Sequence, residues 1–149
     1  MNHKTILLVE DNPNDIDLTR RAFEKCRIYN ELVVKEDGKE ALDYLYGING
    51  KPGAADNGLP MLVMLDLKLP RIDGLEILRK IRNDVRTHRM PVVILTSSKE
   101  EEDVAASYDL GANSYIRKPV DFQQFAQSVQ NLGLYWLVLN EPPPMVKKG

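Results

Sequence analysis

Four unbroken apolar runs punctuate the chain: Ile6-Leu7-Leu8-Val9, Leu32-Val33-Val34, Met61-Leu62-Val63-Met64-Leu65 and Pro91-Val92-Val93-Ile94-Leu95. Runs this short, with no polar alternation, predict strands covered on both faces. Ser114-Tyr115-Ile116 predicts a fifth strand, ending in Arg117-Lys118-Pro119. Between the strands the period changes to that of a helix. Asn12 followed by Pro13 predicts an N-cap with a first-turn proline, and Ile16, Thr19, Phe23 and Cys26 then recur on one helical face. On that stripe Cys26 is expected as a small buried hydrophobe. Gly38 precedes a stripe of Ala41, Leu42 and Leu45, and Leu75, Leu78 and Ile81 form the next. A polar helix is predicted from about Lys99 to Leu110, and a last one carries Phe122, Phe125, Val129 and Leu132. Gly47 to Gly58 holds four glycines, a proline and no period, so it predicts an exposed loop.

Five strands alternating with five helices predict an α/β fold, a doubly wound parallel sheet with helices on both faces. The 149 residues suit one domain, expected over 4–139, followed by a proline-rich tail over 140–149 too short to form an output domain. One cysteine excludes an internal disulfide and points to a reducing compartment, and no signal-peptide core precedes Glu10, so a cytoplasmic protein is expected. The longest apolar run, Leu134 to Leu139, is far too short to span a membrane. A net charge of -2 from nearly balanced acids and bases leaves no nucleic-acid footprint.

On a doubly wound sheet, ligands bind outside the carboxyl ends of the strands. Those ends carry Glu10 and Asp11, Asp66, Thr96 and Lys118. Clustered carboxylates repel unless a cation sits among them. An all-oxygen site with few protein ligands suits Mg²⁺, and Lys118 and Thr96 are then expected across from it, facing an incoming phosphoryl anion.

These residues fall into motifs: Leu7-Leu8-Val9-Glu10-Asp11-Asn12, Leu65-Asp66-Leu67-Lys68-Leu69-Pro70 with Asp73-Gly74, Leu95-Thr96-Ser97 and Lys118-Pro119. Thirty residues separate Asp66 from Thr96, nineteen Thr96 from Tyr115 and twenty-two Thr96 from Lys118. Together they resemble the receiver domain of two-component response regulators, over nearly the whole chain. The resemblance implies a flavodoxin-like strand order, 2-1-3-4-5. It implies that Asp66 is the phosphoacceptor, that Glu10, Asp11, Asp66 and the Lys68 carbonyl bind Mg²⁺, and that Lys118 and Thr96 bond phosphoryl oxygens. Tyr115 is implied as a switch coupled to Thr96, acting on the surface of the fourth helix, fifth strand and fifth helix. A cis peptide is implied at Lys118-Pro119.

The closing Leu134-Tyr135-Trp136-Leu137 stretch and the polar helix with Tyr108 are similar to the small regulators paired with cyanobacterial phytochrome kinases. A sensor histidine kinase, of the phytochrome class on that likeness, is the implied partner. Leu134 to Leu139 covers a whole helical circumference, so it either packs on the sheet edge or joins Tyr108 and Tyr115 in a homodimer face. Two rivals remain. A phosphatase with an aspartate nucleophile would need a second acid where Lys68 stands, so no enzyme beyond self-phosphorylation and autodephosphorylation is expected. A phosphorylation-independent adaptor of the same fold would have no need of the acidic cluster.

Overall fold

In the computed structural model, residues 5–96, 101–118 and 121–132 are described. The chain runs β1 (Ile6–Val9), α1 (Pro13–Lys25), β2 (Leu32–Lys35), α2 (Gly38–Tyr46), α3 (Ala54–Asn57), β3 (Leu62–Leu65), α4 (Gly74–Asn83), β4 (Val92–Thr96), α5 (Glu101–Asp109), β5 (Ser114–Arg117) and α6 (Phe122–Leu132). All five strands are parallel, in the order β2-β1-β3-β4-β5. That is the doubly wound flavodoxin-like order, with its topological switch between β1 and β3.

The apolar runs are buried on both faces because alternate side chains point to opposite sides of the sheet. Leu7, Val9, Val63, Leu65, Val92 and Ile94 pack against Ala41 and Leu45 of α2 and Ile77, Leu78 and Ile81 of α4. Ile6, Leu8, Leu62, Met64, Val93 and Leu95 meet Ala22 and Phe23 of α1 and Phe125, Ala126 and Val129 of α6. Asn12 caps α1 through its side chain, which accepts from the backbone N–H groups of Asn14 and Asp15. Asp37 and Asp73 cap α2 and α4 in the same way, each accepting from the N–H three residues on.

Two expectations change. Gly47 to Gly58 is not a featureless exposed loop: it contains α3, a sixth helix among the described residues, with Gly53 and Ala54 buried. The chain folds back so tightly that a Cβ on Gly47 would lie 1.8 Å from the Lys51 carbonyl oxygen. Gly47 also takes φ +91°, which glycine adopts without penalty. The segment is pinned by Arg86, whose guanidinium reaches both oxygens of Asp56 at 3.0 Å and Oδ2 of Asp84 at 2.7 Å. Cys26, in turn, is only half-buried. It sits at the C-cap of α1, where its thiol donates to the Ala126 carbonyl of α6 at 3.3 Å. The Leu134 to Leu139 stretch, the Lys118-Pro119 peptide's proline and the 140–149 tail lie outside the described residues.

Candidate functional site

Glu10, Asp66 and Lys118 are each the first residue beyond a strand, and each is still tied to the neighbouring strand by a backbone hydrogen bond. The Glu10 N–H donates to Lys35 O at 3.0 Å, the Asp66 N–H to Val9 O at 3.1 Å and the Lys118 N–H to Thr96 O at 2.7 Å. Parallel register therefore carries residues far apart in sequence to one edge of the sheet. One carboxylate oxygen each from Glu10, Asp11 and Asp66 lies within 4.8 Å of the others. Glu10 and Asp66 are buried and Asp11 is exposed.

The backbone of Asp66 is packed from behind. Gly74 opens α4 so close to it that an added Cβ would stand 2.1 Å from the Asp66 carbonyl oxygen. The Gly74 N–H donates to Leu67 O at 2.9 Å. A second glycine, Gly38, holds the far side of the same loop: its Cβ would stand 2.1 Å from Ile72 O. Asp37 beside it accepts from Arg71 Nε at 3.0 Å. The Glu40 backbone N–H and the Arg71 guanidinium keep the Asp37 carboxyl below its ordinary pKa.

Lys118 lies among the carboxylates. The sequence reading set it across from them, facing an anion, but its ammonium donates to Glu10 Oε1 and, at 2.8 Å, to Asp15 Oδ2. Asp66 Oδ2 stands 3.7 Å away. The physical reason is mutual: a buried ammonium and a buried carboxylate each cost less when paired. Burial pushes the Glu10 carboxyl up to about 7, against the opposing pull of Lys118. Burial also works against the charge of Lys118, but the bonds to Asp15 and Glu10 outweigh it and raise the ammonium's pKa. The other Glu10 oxygen accepts from the Asn12 N–H at 3.2 Å.

Asp15 is the residue that sequence reasoning missed. As the third residue of α1 it reads as a plain acidic complement to the helix dipole. The one signal available was that the start of α1 follows directly on Glu10 and Asp11. Lys68 projects outward, its ammonium 3.4 Å from Asp103 of α5, while its backbone N–H faces Asp66 Oδ1 at 3.4 Å. Thr96 is fully buried at the end of β4. Tyr115, beside Ile94 in the sheet, is half-buried against the core cluster on the α2 and α4 face.

The donor set is all oxygen and anionic, close to the span of one octahedral hard cation with bonds of about 2.1 Å. A divalent ion therefore fits Glu10, Asp11 and Asp66. Fold and site together define a class: a doubly wound domain whose carboxyl edge brings an acidic cation site next to a buried lysine. The chain belongs to the response regulator receiver domain family, which it matches over residues 6–130.

Among its relatives, the probable methanogenesis regulatory protein FilR2 of Methanothrix harundinacea is 40% identical over 93% of this chain and 86% of its own. Response regulator Rcp1 of a Synechocystis species is 38% identical over 90% of this chain and 89% of its own. The Mn²⁺-bound form of Rcp1 has a solved structure that superposes with a TM-score of 0.81 at 37% identity, covering 95% of this chain and 99% of that one. The phosphorylated cyanobacterial phytochrome response regulator RcpA superposes with a TM-score of 0.84 at 39% identity, over 95% and 99% of the two chains. No helix among the described residues is long and apolar enough to cross a membrane.

Proposed function

We propose that this chain is a cytoplasmic response regulator that takes a phosphoryl group onto Asp66 from a sensor histidine kinase of the phytochrome class. One observation carries the reading: the Asp66 carboxylate, Glu10, Asp11 and the Lys118 ammonium meet at the carboxyl edge of the sheet. The phosphorylated relative RcpA and the Mn²⁺-bound relative Rcp1 support it.

In the transfer an Asp66 oxygen attacks phosphorus, the P–O bond forms and the P–N bond to the kinase histidine breaks. The imidazole leaves with the electron pair and is neutral once it keeps one ring proton. Mg²⁺, when bound, supplies positive charge beside the transferring oxygens. Glu10, Asp11 and Asp66 would hold it, together with the Lys68 carbonyl. Lys118 pairs with a phosphoryl oxygen and the Thr96 hydroxyl donates to another. As Thr96 moves, Tyr115 follows, and the surface of α5, β5 and α6 changes. Tyr108 of α5, about half exposed, belongs to that surface. The proposed reaction is the formation of one acyl phosphate on Asp66 and its hydrolysis.

The test is intact-mass spectrometry after incubation with a small phosphodonor, with and without Mg²⁺, on the wild type and Asp66→Asn. A single Mg²⁺-dependent phosphoryl adduct, absent from the variant, is expected. A folded protein that takes up no phosphoryl group in any condition would overturn the reading in favour of a phosphorylation-independent adaptor.

A further inference from the structure

Lys118 has two anionic anchors, and only one of them is part of the cation site. Glu10 belongs to the group of three carboxylates whose oxygens converge, and Asp15 does not. Yet Asp15 Oδ2 holds the Lys118 ammonium at 2.8 Å, nearer than Asp66 Oδ2 at 3.7 Å. The backbone of Asp15 is fixed at both ends of its peptide. Its N–H reaches the Asn12 cap oxygen at 3.3 Å, and its carbonyl accepts from the hydroxyl of buried Thr19 at 2.8 Å.

Both oxygens of Glu10 are spoken for. Oε2 accepts from the Asn12 N–H and Oε1 from Lys118. A divalent cation that binds Glu10 repels the ammonium on Oε1 and competes with it for that carboxylate's charge. Lys118 is nine-tenths buried, so it cannot be released to solvent without a partner. A buried charge left unpaired is far more expensive than one that exchanges partners. The lysine's flexible stem and rotatable donors let it give up one bond and keep another.

We propose that Asp15 is the holding site of the Lys118 ammonium: a positioning residue that retains the lysine while a divalent cation takes Glu10, and that keeps it off the Asp66 carboxylate. The inference rests on the divalent-cation reading of Glu10, Asp11 and Asp66. Without the Asp15 charge the ammonium has only the cation's own ligands to turn to, and it competes with the cation instead of yielding. Asp15 thereby sets the affinity of a site to which it contributes no ligand.

The test is calorimetric titration of the full chain with Mn²⁺, on the wild type, Asp15→Asn, Asp15→Glu, Asp17→Asn, Lys118→Met and the double variant Asp15→Asn/Lys118→Met. Asp17 controls for charge alone, since it lies on the same helix, is exposed and pairs with Arg21 at 3.9 Å. Asp15→Asn is expected to weaken the cation about tenfold, the scale of one lost charged hydrogen bond. Asp15→Glu restores most of that affinity and Asp17→Asn matches the wild type. In the Lys118→Met background the same Asp15→Asn change costs about twofold, because no ammonium remains to hold. Equal losses in both backgrounds would make Asp15 one more negative charge and overturn the proposal. So would an Asp15→Asn variant that binds like the wild type, or an Asp15→Glu variant no better than Asn. If Lys118→Met fails to fold, the Glu and Asp17 variants still decide. A wild type that binds no cation overturns the cation reading and this proposal together, whereas a wild type that binds and an indifferent Asp15 overturn only the latter.

Discussion

Replacing Gly74 with alanine puts the link between helix packing and the proposed phosphoacceptor Asp66 to a quantitative test. The new Cβ would stand 2.1 Å from the Asp66 carbonyl oxygen, 2.7 Å from Leu67 Cα and 2.9 Å from the Asp66 carbonyl carbon. Contacts under 3.0 Å are essentially never tolerated by a Cβ, so the strand end or the helix must retreat by about 0.9 Å. Neither is free to do so. The Gly74 N–H is bonded to Leu67 O at 2.9 Å, and the Asp66 N–H to Val9 O at 3.1 Å. All three close atoms are backbone, so no side chain can rotate away. Overpacking of this kind costs about 1–3 kcal/mol where side chains absorb it, and with backbone on both sides a loss of about 3 kcal/mol is expected. The second consequence is chemical. A nucleophile displaced by about 1 Å loses on the order of a hundredfold in rate, so phosphoryl uptake at Asp66 falls even where the variant is folded. Urea denaturation followed by circular dichroism reads the first effect, and the time course of the phosphoryl adduct reads the second. Gly50→Ala is the matched control. It meets no atom within 4 Å and carries only the strain of φ +81°, about 1 kcal/mol, with no change in uptake. A Gly74→Ala protein within about 0.5 kcal/mol of the wild type, taking up phosphoryl at the normal rate, would refute the reasoning.

Arg86→Gln removes the fork that joins Asp56 of α3 to Asp84 beyond α4, and a loss of about 1–2 kcal/mol in urea denaturation is expected. An unchanged midpoint would mean that α3 is held by Ala54 and the glycine turns alone. Asp37→Asn keeps an α2 cap but removes the charge paired with Arg71. Because the folded-state pKa of Asp37 is depressed, its contribution is complete above the ordinary value of 3.8 and is lost as pH falls through the depressed one. The wild type is therefore expected to exceed the variant in urea midpoint at neutral pH, with the gap closing in strong acid. A gap that persists unchanged there would show that the difference is not electrostatic.

What the sequence made legible followed from its strongest periodicities. Runs such as Ile6 to Val9 and Leu62 to Leu65 announce themselves because no polar residue interrupts a strand covered on both sides. Asn12-Pro13 announces the start of α1 because a cap and a proline are needed there for separate reasons. Strand order came only with the family resemblance, since five similar runs carry no label for their neighbours. α3 escaped because four residues make no period, and its placement depends on Arg86, thirty positions on from Asp56. Asp15 escaped for a related reason: its partner Lys118 is 103 residues away, and nothing local separates a helix-dipole aspartate from one that grips a buried ammonium. Both failures are of long-range polar pairing, which leaves no pattern along the chain.

The way the sheet holds the site bears on where a signal can go. Glu10, Asp66 and Lys118 sit one residue past their strands, each clamped by a further ladder bond to a neighbouring strand. Asp66 is also backed by Gly74 with no room to recede. A charge added at Asp66 therefore cannot be accommodated by moving β1 or β3 without breaking backbone bonds in the core of the sheet. On the α5 side of the same edge, Lys68 meets Asp103 through an ion pair whose lysine is 63% exposed. A pair of that kind is worth on the order of 1 kcal/mol or less. The cost of rearrangement is thus lower toward α5 than toward β1 or β3. If Asp66 takes a phosphoryl group as proposed, the added charge is therefore expected to be expressed toward α5, through the exposed Lys68–Asp103 pair, rather than through β1 or β3.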